Sequence, residues 1–391
     1  MNEVIFAAAG FGKTYSLCAK AKSLLRSNRN ILLISYTVEG VNALKREFKK
    51  QNNGVLDPGI VIKSWYQFLL SELIKPYQTL LKFKTGLYTN IQPGFVNSIA
   101  FYENNTRGYC NKNNFSYYIN KNRDIKKDKV SDLAYHLNDT SCGRAICRLE
   151  SIYSHVFIDE IQDYAGWDLE VIKLLFCSSM DVTCVGDYKQ HTYETNNSTK
   201  NKKFKGEKIV NFFNSLKNEG VCDVKYWNST RRFNEDICKF INTIYNDEKS
   251  RVFPHQNEDS SPPDVVKGVF ILDGKNLDEF CEEYKPVVLR YNKRTPVDLH
   301  DGCTVYNYGA VKGGTFDNVV IVPVKTVIPF LKKGCLIESQ NTRAKFYVAC
   351  TRAKNSVVFA VNDFDAKDYS LFEPCSIKIC DREIVGYKYI G

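Results

Sequence analysis

The sequence has few residues that commonly hold metal ions, and it has no long hydrophobic run. Only 5 of its 391 residues are histidine, and its 14 cysteines are scattered without a CxxC pair. This spacing fits neither a zinc site nor a thioredoxin-like redox motif, so we interpret most cysteines as reduced core thiols in a cytosol. No segment approaches the roughly 18 apolar residues of a spanning helix, and the first residues have no leader-like pattern. We therefore expect a cytoplasmic protein without a membrane segment.

The overall composition is that of a folded protein. The hydrophobic share of 43% and the charged share of 25% exclude a disordered polymer and a coiled-coil rod. The length allows two or three domains. Fifty-four Lys plus Arg against 44 Asp plus Glu leave a net charge of +10. Such a surplus indicates either a polyanionic partner or only solubility, and charge alone does not choose between them.

Short apolar runs alternate with amphipathic stretches in two sets, which predicts two α/β units with parallel sheets. The first set has strands at residues 4–6, 31–34, 156–158 and 182–185 and helices at 16–25 and 41–48. The second has strands at 269–272, 287–289, 319–322 and 357–361 and a helix at 343–353.

Residues 76–149 interrupt the first set and differ from it in character. Between residues 82 and 129 there are nine basic and three acidic side chains, interleaved with aromatic ones. Such a pattern is typical of a nucleic-acid-binding surface, but a solvated loop explains the lysines at 126, 127 and 129 equally well. We interpret this stretch as an insertion.

A glycine-bearing segment, residues 7–14 (AAAGFGKT), follows an apolar run and precedes a helical pattern. This context suits a phosphate-binding loop, because glycines let backbone amides approach phosphates at a helix N-terminus. Lys13 would reach the β and γ phosphates, and Thr14 would bind magnesium. The other phosphate-binding candidates are Ala9, Gly10, Phe11 and Gly12. A simple strand-to-helix turn is the alternative for this segment alone.

An acidic cluster, residues 159–163 (DEIQD), follows the buried run at 156–158. Ligands collect at the carboxyl ends of parallel strands, and phosphoryl transfer needs a metal ion and a positioned water molecule. Asp159 would hold magnesium through water, and Glu160 would polarise the attacking water. An acidic cap at a helix N-terminus is the alternative.

The ordered motif set from Phe6 to about Val361 resembles the superfamily 1 helicases of the UvrD-like group. Residues 34–37 (ISYT) and 64–68 (SWYQF) look like motifs Ia and Ib, and the acidic cluster is similar to the DExQD motif. Residues 185–190 (VGDYKQ) look like motif III, which implies that Gln190 couples the γ-phosphate to the strand. The resemblance also implies that nucleic acid is contacted by Tyr36, Thr37, Ser64, Trp65, Tyr66 and Tyr193. For Trp65, a buried core position is the alternative that its residue type favours without the motif.

Three further motifs lie in the second set. Residues 230–232 (TRR) resemble motif IV, 311–317 (VKGGTFD) motif V and 347–353 (YVACTRA) motif VI. The resemblance implies that Arg232 contacts the γ-phosphate and that Arg352 is the arginine finger. It also implies nucleotide-binding roles for Arg231 and Gly313.

The sequence departs from the larger UvrD-like helicases in several places. The phosphate loop begins within seven residues of the start, so we expect no adenine-reading segment ahead of it. Arg231 stands where a tyrosine often stacks on the base, and we therefore predict weak discrimination of ATP from other NTPs. Residues 194–197 lack the family's tryptophan-bearing run. Too few residues separate motifs IV and V for the inserted 2B domain.

The resemblance implies two RecA-like P-loop NTPase domains with parallel sheets, a nucleotide cleft between them and a small 1B-like insertion. We expect domain 1A at 1–75 and 150–225, the insertion at 76–149 and domain 2A at 226–391. The expected function is an ATP-dependent, magnesium-requiring helicase or translocase on single-stranded or partly duplex DNA, moving 3'-to-5'. One alternative is an NTP-driven switch that works with a nuclease, for example of the OLD family, in antiviral defence or repair. A nucleic-acid-binding module without catalysis is the other.

Overall fold

The computed structural model describes residues 2–25, 30–81, 94–102, 112, 114–192, 198–255, 266–297, 302–362, 364–379 and 382–391. Contacts divide the chain into two compact units, each built from three segments. The first unit comprises Met1–Phe6, Lys13–Tyr188 and Tyr193–Lys225. The second comprises Ala7–Gly12, Lys189–Thr192 and Tyr226–Gly391.

The first unit is built on a six-stranded sheet in the order β3-β2-β6-β7-β1-β8. Its strands, with the short pair β4 and β5, are β1 (Glu3–Ala7), β2 (Asn30–Ser35), β3 (Ile60–Ser64), β4 (Ile99–Ala100), β5 (Ile125–Lys126), β6 (Tyr153–Ile158), β7 (Asp181–Gly186) and β8 (Asp223–Trp227). Strands β3, β2, β6, β7 and β1 pair in parallel. Residues 31–34 of β2 are fully buried, as expected where helices cover both faces of a parallel sheet.

The described helices of the first unit lie around this sheet and in the insertion. They are α1 (Lys13–Ser23), α2 (Val38–Gln51), α3 (Trp65–Phe68), α4 (Phe115–Tyr118), α5 (Val130–Thr140), α6 (Arg144–Ile152), α7 (Trp167–Phe176) and α8 (Ile209–Asn218). Helix α2 buries Val41, Leu44 and Phe48, which are spaced at helical intervals. A π-helical turn at Leu69–Ile74 follows α3, and helix α5 packs against both this turn and α7.

The second unit contains a seven-stranded sheet in the order β13-β12-β14-β15-β11-β17-β16. Its strands, with the short parallel pair β9 and β10, are β9 (Ser229–Thr230), β10 (Phe253–Pro254), β11 (Gly268–Asp273), β12 (Val287–Arg290), β13 (Val305–Asn307), β14 (Phe316–Ile321), β15 (Ala353–Val361), β16 (Phe372–Ile379) and β17 (Arg382–Tyr389). Strands β13, β12, β14, β15 and β11 are parallel, whereas β17 and β16 continue the sheet in antiparallel fashion.

Two hydrophobic clusters pack in the second unit. Its helices are α9 (Glu235–Ile244), α10 (Gly274–Tyr284), α11 (Ile328–Lys333) and α12 (Gln340–Cys350). One cluster includes Phe240 of α9 and Phe346 of α12, and the other includes Phe280 of α10. Alternate residues of a strand face opposite sides of the sheet, and accordingly Val357 belongs to the first cluster and Val358 to the second.

The predicted parallel α/β organisation is confirmed, with shifts at element ends. Helix α1 begins at Lys13 rather than at residue 16, and α12 ends at Cys350, so that Arg352 lies between helix and strand. The antiparallel pair β16 and β17 was not predicted. Among the described residues, no helix combines the length and the apolar character needed to span a bilayer.

Candidate functional site

The predicted phosphate loop is a strand–turn–helix element. Strand β1 ends at Ala7 and helix α1 begins at Lys13. Gly10 and Gly12 between them have φ values of 79° and 96°, which are strained for residues that carry a Cβ. Lys13 and Thr14 form the first turn of α1, where unpaired helix amides favour an anion. This is the local geometry that phosphate binding requires.

The first half of the loop is held by the chain segment that follows β8. The amide of Ala8 donates to the carbonyl of Trp227 at 2.8 Å, and the amide of Arg231 donates to the carbonyl of Gly10 at 3.1 Å. The ring of Phe11 stacks on that of Trp227, with centroids 4.7 Å apart. The predicted motif IV residue Arg231 therefore contacts the phosphate loop through its backbone.

Gly10 has no room for a side chain. A Cβ built on it would lie 2.4 Å from Oγ1 of Thr230 and 2.5 Å from Cβ of Arg232. Both distances are shorter than real Cβ contacts, so one partner would have to move. Glycine at position 10 is therefore required by packing as well as by its positive φ. The partner residues lie more than 200 positions away, and no local signal in the sequence reveals them.

The acidic cluster follows β6, as predicted. Asp159 is buried, and its amide donates to the carbonyl of Ile34 at 2.8 Å, which ties it to the neighbouring strand. Glu160 has φ 56° and ψ 43°, an unusual left-handed conformation for a residue with a Cβ. Its amide donates to Oδ1 of Asp159 at 2.9 Å. Strain of this kind is common at functional sites, where the surrounding structure maintains it.

Gln162 links the acidic cluster to predicted motif III within the first unit. Its Nε2 donates to a carboxylate oxygen of Glu160, and its Oε1 accepts from the amide of Asp187 at 2.9 Å. A Cβ on Gly186 would lie 2.2 Å from this Oε1. The absence of a side chain at Gly186 therefore leaves space for Gln162, which orients Glu160. The sequence analysis assigned no role to Gln162.

Arg352 is the centre of a buried hydrogen-bond network in the second unit, where it is only 1% exposed. Its Nε donates to the carbonyl of Val348 at 2.9 Å. Its two terminal nitrogens donate to the carbonyl of Gly314 at 3.3 Å, to Oε1 of Gln190 at 3.3 Å and to Oγ1 of Thr351 at 3.2 Å. Side chains or carbonyls of predicted motifs III, V and VI therefore meet at one guanidinium group.

Arg232 and Gly313 border the same network. Nη1 of Arg232 donates to the carbonyl of Thr351 at 3.0 Å, so motif IV contacts motif VI. Gly313 has φ 92° in the turn that precedes β14. The Arg232 side chain thus binds the backbone of the residue that precedes Arg352. Gly313 forms the turn beside Gly314, whose carbonyl Arg352 contacts.

Lys189 is a buried positive charge that the sequence analysis did not single out. It is 2% exposed, and its Nζ donates to the carbonyl of Ser250 at 2.8 Å. The ammonium lies 5.7 Å from the ring centroid of Tyr245 and 5.9 Å from that of Tyr347, within the range of cation–π attraction. These contacts hold the backbone beside Gln190.

The residues of predicted motifs Ia and Ib are found at the carboxyl ends of β2 and β3. Thr37 caps α2 by accepting from the amide of Gly40 at 2.9 Å, and Ser64 caps α3 by accepting from the amide of Gln67 at 3.2 Å. These hydroxyls have structural roles. Tyr193 lies outside the described residues.

Trp65 corrects one prediction. Its side chain is fully buried, and its indole nitrogen donates to Oδ1 of Asp168 at 2.8 Å, to which Ser131 also donates. A nucleic-acid strand cannot reach this ring, so Trp65 is a core residue. The neighbouring Tyr66 is 8% exposed and packs on Tyr36 with ring centroids 5.8 Å apart. Burial raises the pKa of the Tyr66 phenol well above its ordinary value, so it stays neutral.

The donor set fits a magnesium ion that arrives with a nucleotide. In the described part of the chain, no group of three His, Cys, Asp or Glu side chains could hold a metal ion. Magnesium in phosphate-transfer sites commonly takes one or two protein oxygens and completes its shell with phosphate and water. The Thr14 hydroxyl and the Asp159 carboxylate are of the required chemical type.

A family model described as the viral superfamily 1 RNA helicase core domain matches residues 120–361. Among curated protein sequences there is no match. Solved structures of arterivirus nonstructural protein 10, a helicase, are similar to this chain at a TM-score of 0.45. The protein alone shows 14% identity and its complex with DNA 15%, and each covers 94% of this chain. The chain spans 61% of the length of that helicase.

Proposed function

This chain belongs to the viral superfamily 1 RNA helicase core domain family, and from that premise we propose that it is an NTP-hydrolysing motor on single-stranded nucleic acid. The observation that carries the proposal is the network at Arg352, which joins three predicted motifs around one buried guanidinium group. Preorganised arginines of this kind suit phosphoryl transfer, because negative charge spreads over the transferred group.

We assign the chemical roles as the motif resemblance implies. Lys13 and the loop amides would bind the phosphates, and Thr14 and Asp159 would hold magnesium, which supplies charge neutralisation when bound. Glu160 would polarise the attacking water, and the strained backbone and Gln162 support this role by fixing its carboxylate. Gln190, Arg232 and Arg352 would sense the γ-phosphate.

Base recognition should be loose. Arg231 replaces the stacking tyrosine of UvrD-like relatives, and a guanidinium plane is less selective than an aromatic pocket built for adenine. We propose that the chain accepts several NTPs, which a competition assay among the four ribonucleotides would test. Strong selectivity for ATP would contradict this part of the proposal.

The bound single strand could be either of two nucleic acids, DNA or RNA. The motif series resembles the UvrD-like group without its 2B domain, which supports single-stranded DNA and 3'-to-5' movement. The family's description names RNA, which supports an RNA strand as the second candidate. Oligo(dT) and oligo(U) of equal length, compared as activators of hydrolysis, would separate the two versions. Tailed duplexes with opposite overhangs would then give the polarity.

A partner-dependent switch remains the alternative mode of action. In this version the chain hydrolyses NTP but unwinds only with a nuclease, for example of the OLD family, in antiviral defence or repair. Co-purification of a nuclease, together with unwinding that appears only when it is added, would support the switch. Unwinding by the isolated chain would exclude it.

The first experiment is steady-state NTP hydrolysis with and without single-stranded oligonucleotide, with Glu160→Gln as the blank. We expect hydrolysis that the oligonucleotide stimulates and that falls about 10²- to 10⁴-fold in the variant, because general-base catalysis contributes that much. Glu219→Gln is a matched control, since the described contact of the Glu219 side chain is a surface ion pair with Lys173. Full turnover in Glu160→Gln would overturn the site assignment.

A further inference from the structure

Two consecutive residues with exposed aromatic rings follow β4, in the inserted segment. Phe101 is 49% exposed and Tyr102 is fully exposed. Aromatic side chains carry a large apolar surface and are usually buried or engaged with a partner. Neither residue was singled out by the sequence analysis, and neither belongs to a predicted motif.

Phe101 continues a row of rings that begins at motifs Ia and Ib. It packs edge-on against Tyr66, with ring centroids 5.3 Å apart, and Tyr66 packs against Tyr36 at 5.8 Å. Tyr36 follows β2 and Tyr66 follows β3, so the row starts at the carboxyl edge of the first sheet. We call Tyr36, Tyr66, Phe101 and Tyr102 the aromatic row. Tyr36 is partly buried and Tyr66 is buried, whereas Phe101 and Tyr102 at the other end are exposed.

Basic residues lie on the strand next to the exposed end. Ala100 pairs with Lys126 of β5, so Lys126 lies one strand spacing, about 4.8 Å, from the residue before Phe101. Residues 126–129 read Lys-Lys-Asp-Lys and carry a net positive charge. Lys126 donates to the carbonyl of Ser116 at 2.7 Å, and Lys129 lies 4.0 Å from the ring centroid of Tyr117. The edge beside the aromatic row therefore attracts anions.

One carboxylate, that of Asp128, lies within this run of lysines. The charge of Asp128 contributes to the raised pKa of Tyr66, after the larger effect of burial. A phosphate would be repelled from this position, whereas the face of a base carries no charge. Exposed rings next to a basic strand match the combination of base stacking and phosphate attraction that single-strand binding uses.

We propose that Phe101 and Tyr102 stack on the bases of a single-stranded nucleic acid while Lys126 and Lys127 attract its phosphates. This inference rests on the proposed function and names where the strand binds. The stacking surface is sequence-tolerant, because every base has a π face, and it serves DNA and RNA alike. The buried Tyr66 packs against Phe101 and supports it from below.

The test is the affinity of the full chain for fluorescent oligo(dT) and oligo(U), measured by anisotropy over a range of salt concentrations. The double variant Phe101→Ala, Tyr102→Ala should bind both strands at least about 25-fold more weakly, because each of the two lost base–aromatic stacks is worth about 5- to 150-fold. The slope of log affinity against log salt should stay unchanged. Lys126→Gln should instead make that slope shallower by about one, because it removes a phosphate contact.

Two matched variants control for folding and for simple loss of apolar surface. Tyr102→Phe keeps the ring and should bind as the parent does. Leu336→Ala removes an apolar side chain that is 68% exposed in the second unit, and it should have no effect. The thermal midpoint of the double variant should match that of the parent, because both substituted rings are exposed.

The outcomes separate this inference from the proposed function. A parent chain that binds neither oligonucleotide contradicts both. A parent that binds, with a double variant that binds equally well, contradicts the stacking role alone. Weaker binding of the double variant with a shallower salt slope also contradicts it, because the lost contact would then be with phosphates.

Discussion

The two units place their candidate residues at opposite ends of their strands. In the first unit the acidic cluster follows β6 and Asp187 follows β7, at the carboxyl edge where parallel α/β sheets ordinarily bind ligands. In the second unit Gly313 precedes β14 and Arg352 precedes β15, at the amino edge. The carboxyl edge of the second sheet borders instead a largely apolar pocket of about 690 Å³.

The difference also concerns how the side chains are held. In the first unit the left-handed backbone of Glu160 and one hydrogen bond from Gln162 position the carboxylate. In the second unit the hydrogen bonds of a buried guanidinium hold the side chain, as Arg352 shows. Loss of Gln162 in the first unit should therefore affect chemistry while the fold persists, whereas loss of Arg352 in the second should affect both. The following variants test this contrast.

Arg352→Ala should give the largest effect. It removes a charged group worth about 10³- to 10⁵-fold in turnover when it acts as an arginine finger, and it leaves buried carbonyls without a donor. Each such acceptor costs about 1–3 kcal/mol of unfolding free energy. Hydrolysis assays and urea unfolding of the same preparation would measure the two losses. A variant that lost stability but kept its turnover would show that Arg352 is structural only.

Gln162→Ala should slow turnover without unfolding the chain. It frees the Glu160 carboxylate, and displacement of a catalytic group by about 1 Å can cost about 10²-fold in rate. The loss should appear in kcat, with KM for the nucleotide unchanged. Gln51→Ala serves as control, because the described bonds of the Gln51 side chain go to the carbonyl of Tyr15 and to Glu47, away from the site. A rise in KM of similar size, with kcat unchanged, would mean that Gln162 acts on nucleotide binding instead.

Gly10→Ala, compared with Gly54→Ala, separates the cost of backbone strain from the cost of a steric clash. Gly54 is the matched control: its φ is +85°, close to the +79° of Gly10, but a Cβ there meets nothing within 4 Å. Both variants incur the strain of a positive φ. Gly10→Ala should lose about 1–3 kcal/mol more, because it collides with Thr230 and Arg232. Equal losses in chemical unfolding would show that the neighbours give way without cost.

Lys189→Met should have the smallest effect of the four. Methionine keeps the length and the apolar contacts but loses the bond to the carbonyl of Ser250, at a cost of about 1 kcal/mol. We expect basal hydrolysis to persist, while stimulation by oligonucleotide falls about fivefold, because Gln190 is held less firmly. Unchanged stimulation with lower stability would assign Lys189 to folding alone.

Local pattern was sufficient to predict much of the fold. The strands at 4–6, 31–34, 156–158 and 182–185 were found where apolar runs indicated them, because a buried parallel strand must be apolar on both faces. The superfamily 1 helicase prediction is confirmed at that level by the family match, whereas the UvrD-like subgroup stays a prediction. The roles of individual site residues also stay predictions.

Contacts between distant residues could not be predicted. The stacking of Phe11 on Trp227 and the orientation of Glu160 by Gln162 depend on how the chain folds back on itself. Trp65 was misassigned for the same reason: its motif position suggested a strand contact, but its partner Asp168 lies 103 residues away. Without that partner, the sequence could not distinguish a core tryptophan from a surface one.

The division of the chain into alternating segments has a consequence for its synthesis. The second unit takes residues 7–12 and 189–192 from early parts of the chain, and Ala8 and Ala9 belong to its hydrophobic core. These residues leave the ribosome long before strands β11 to β17 are made, so their packing partners do not yet exist. The second unit can therefore complete its folding only late in synthesis. A fragment that begins at residue 226 would lack part of the hydrophobic core of this unit.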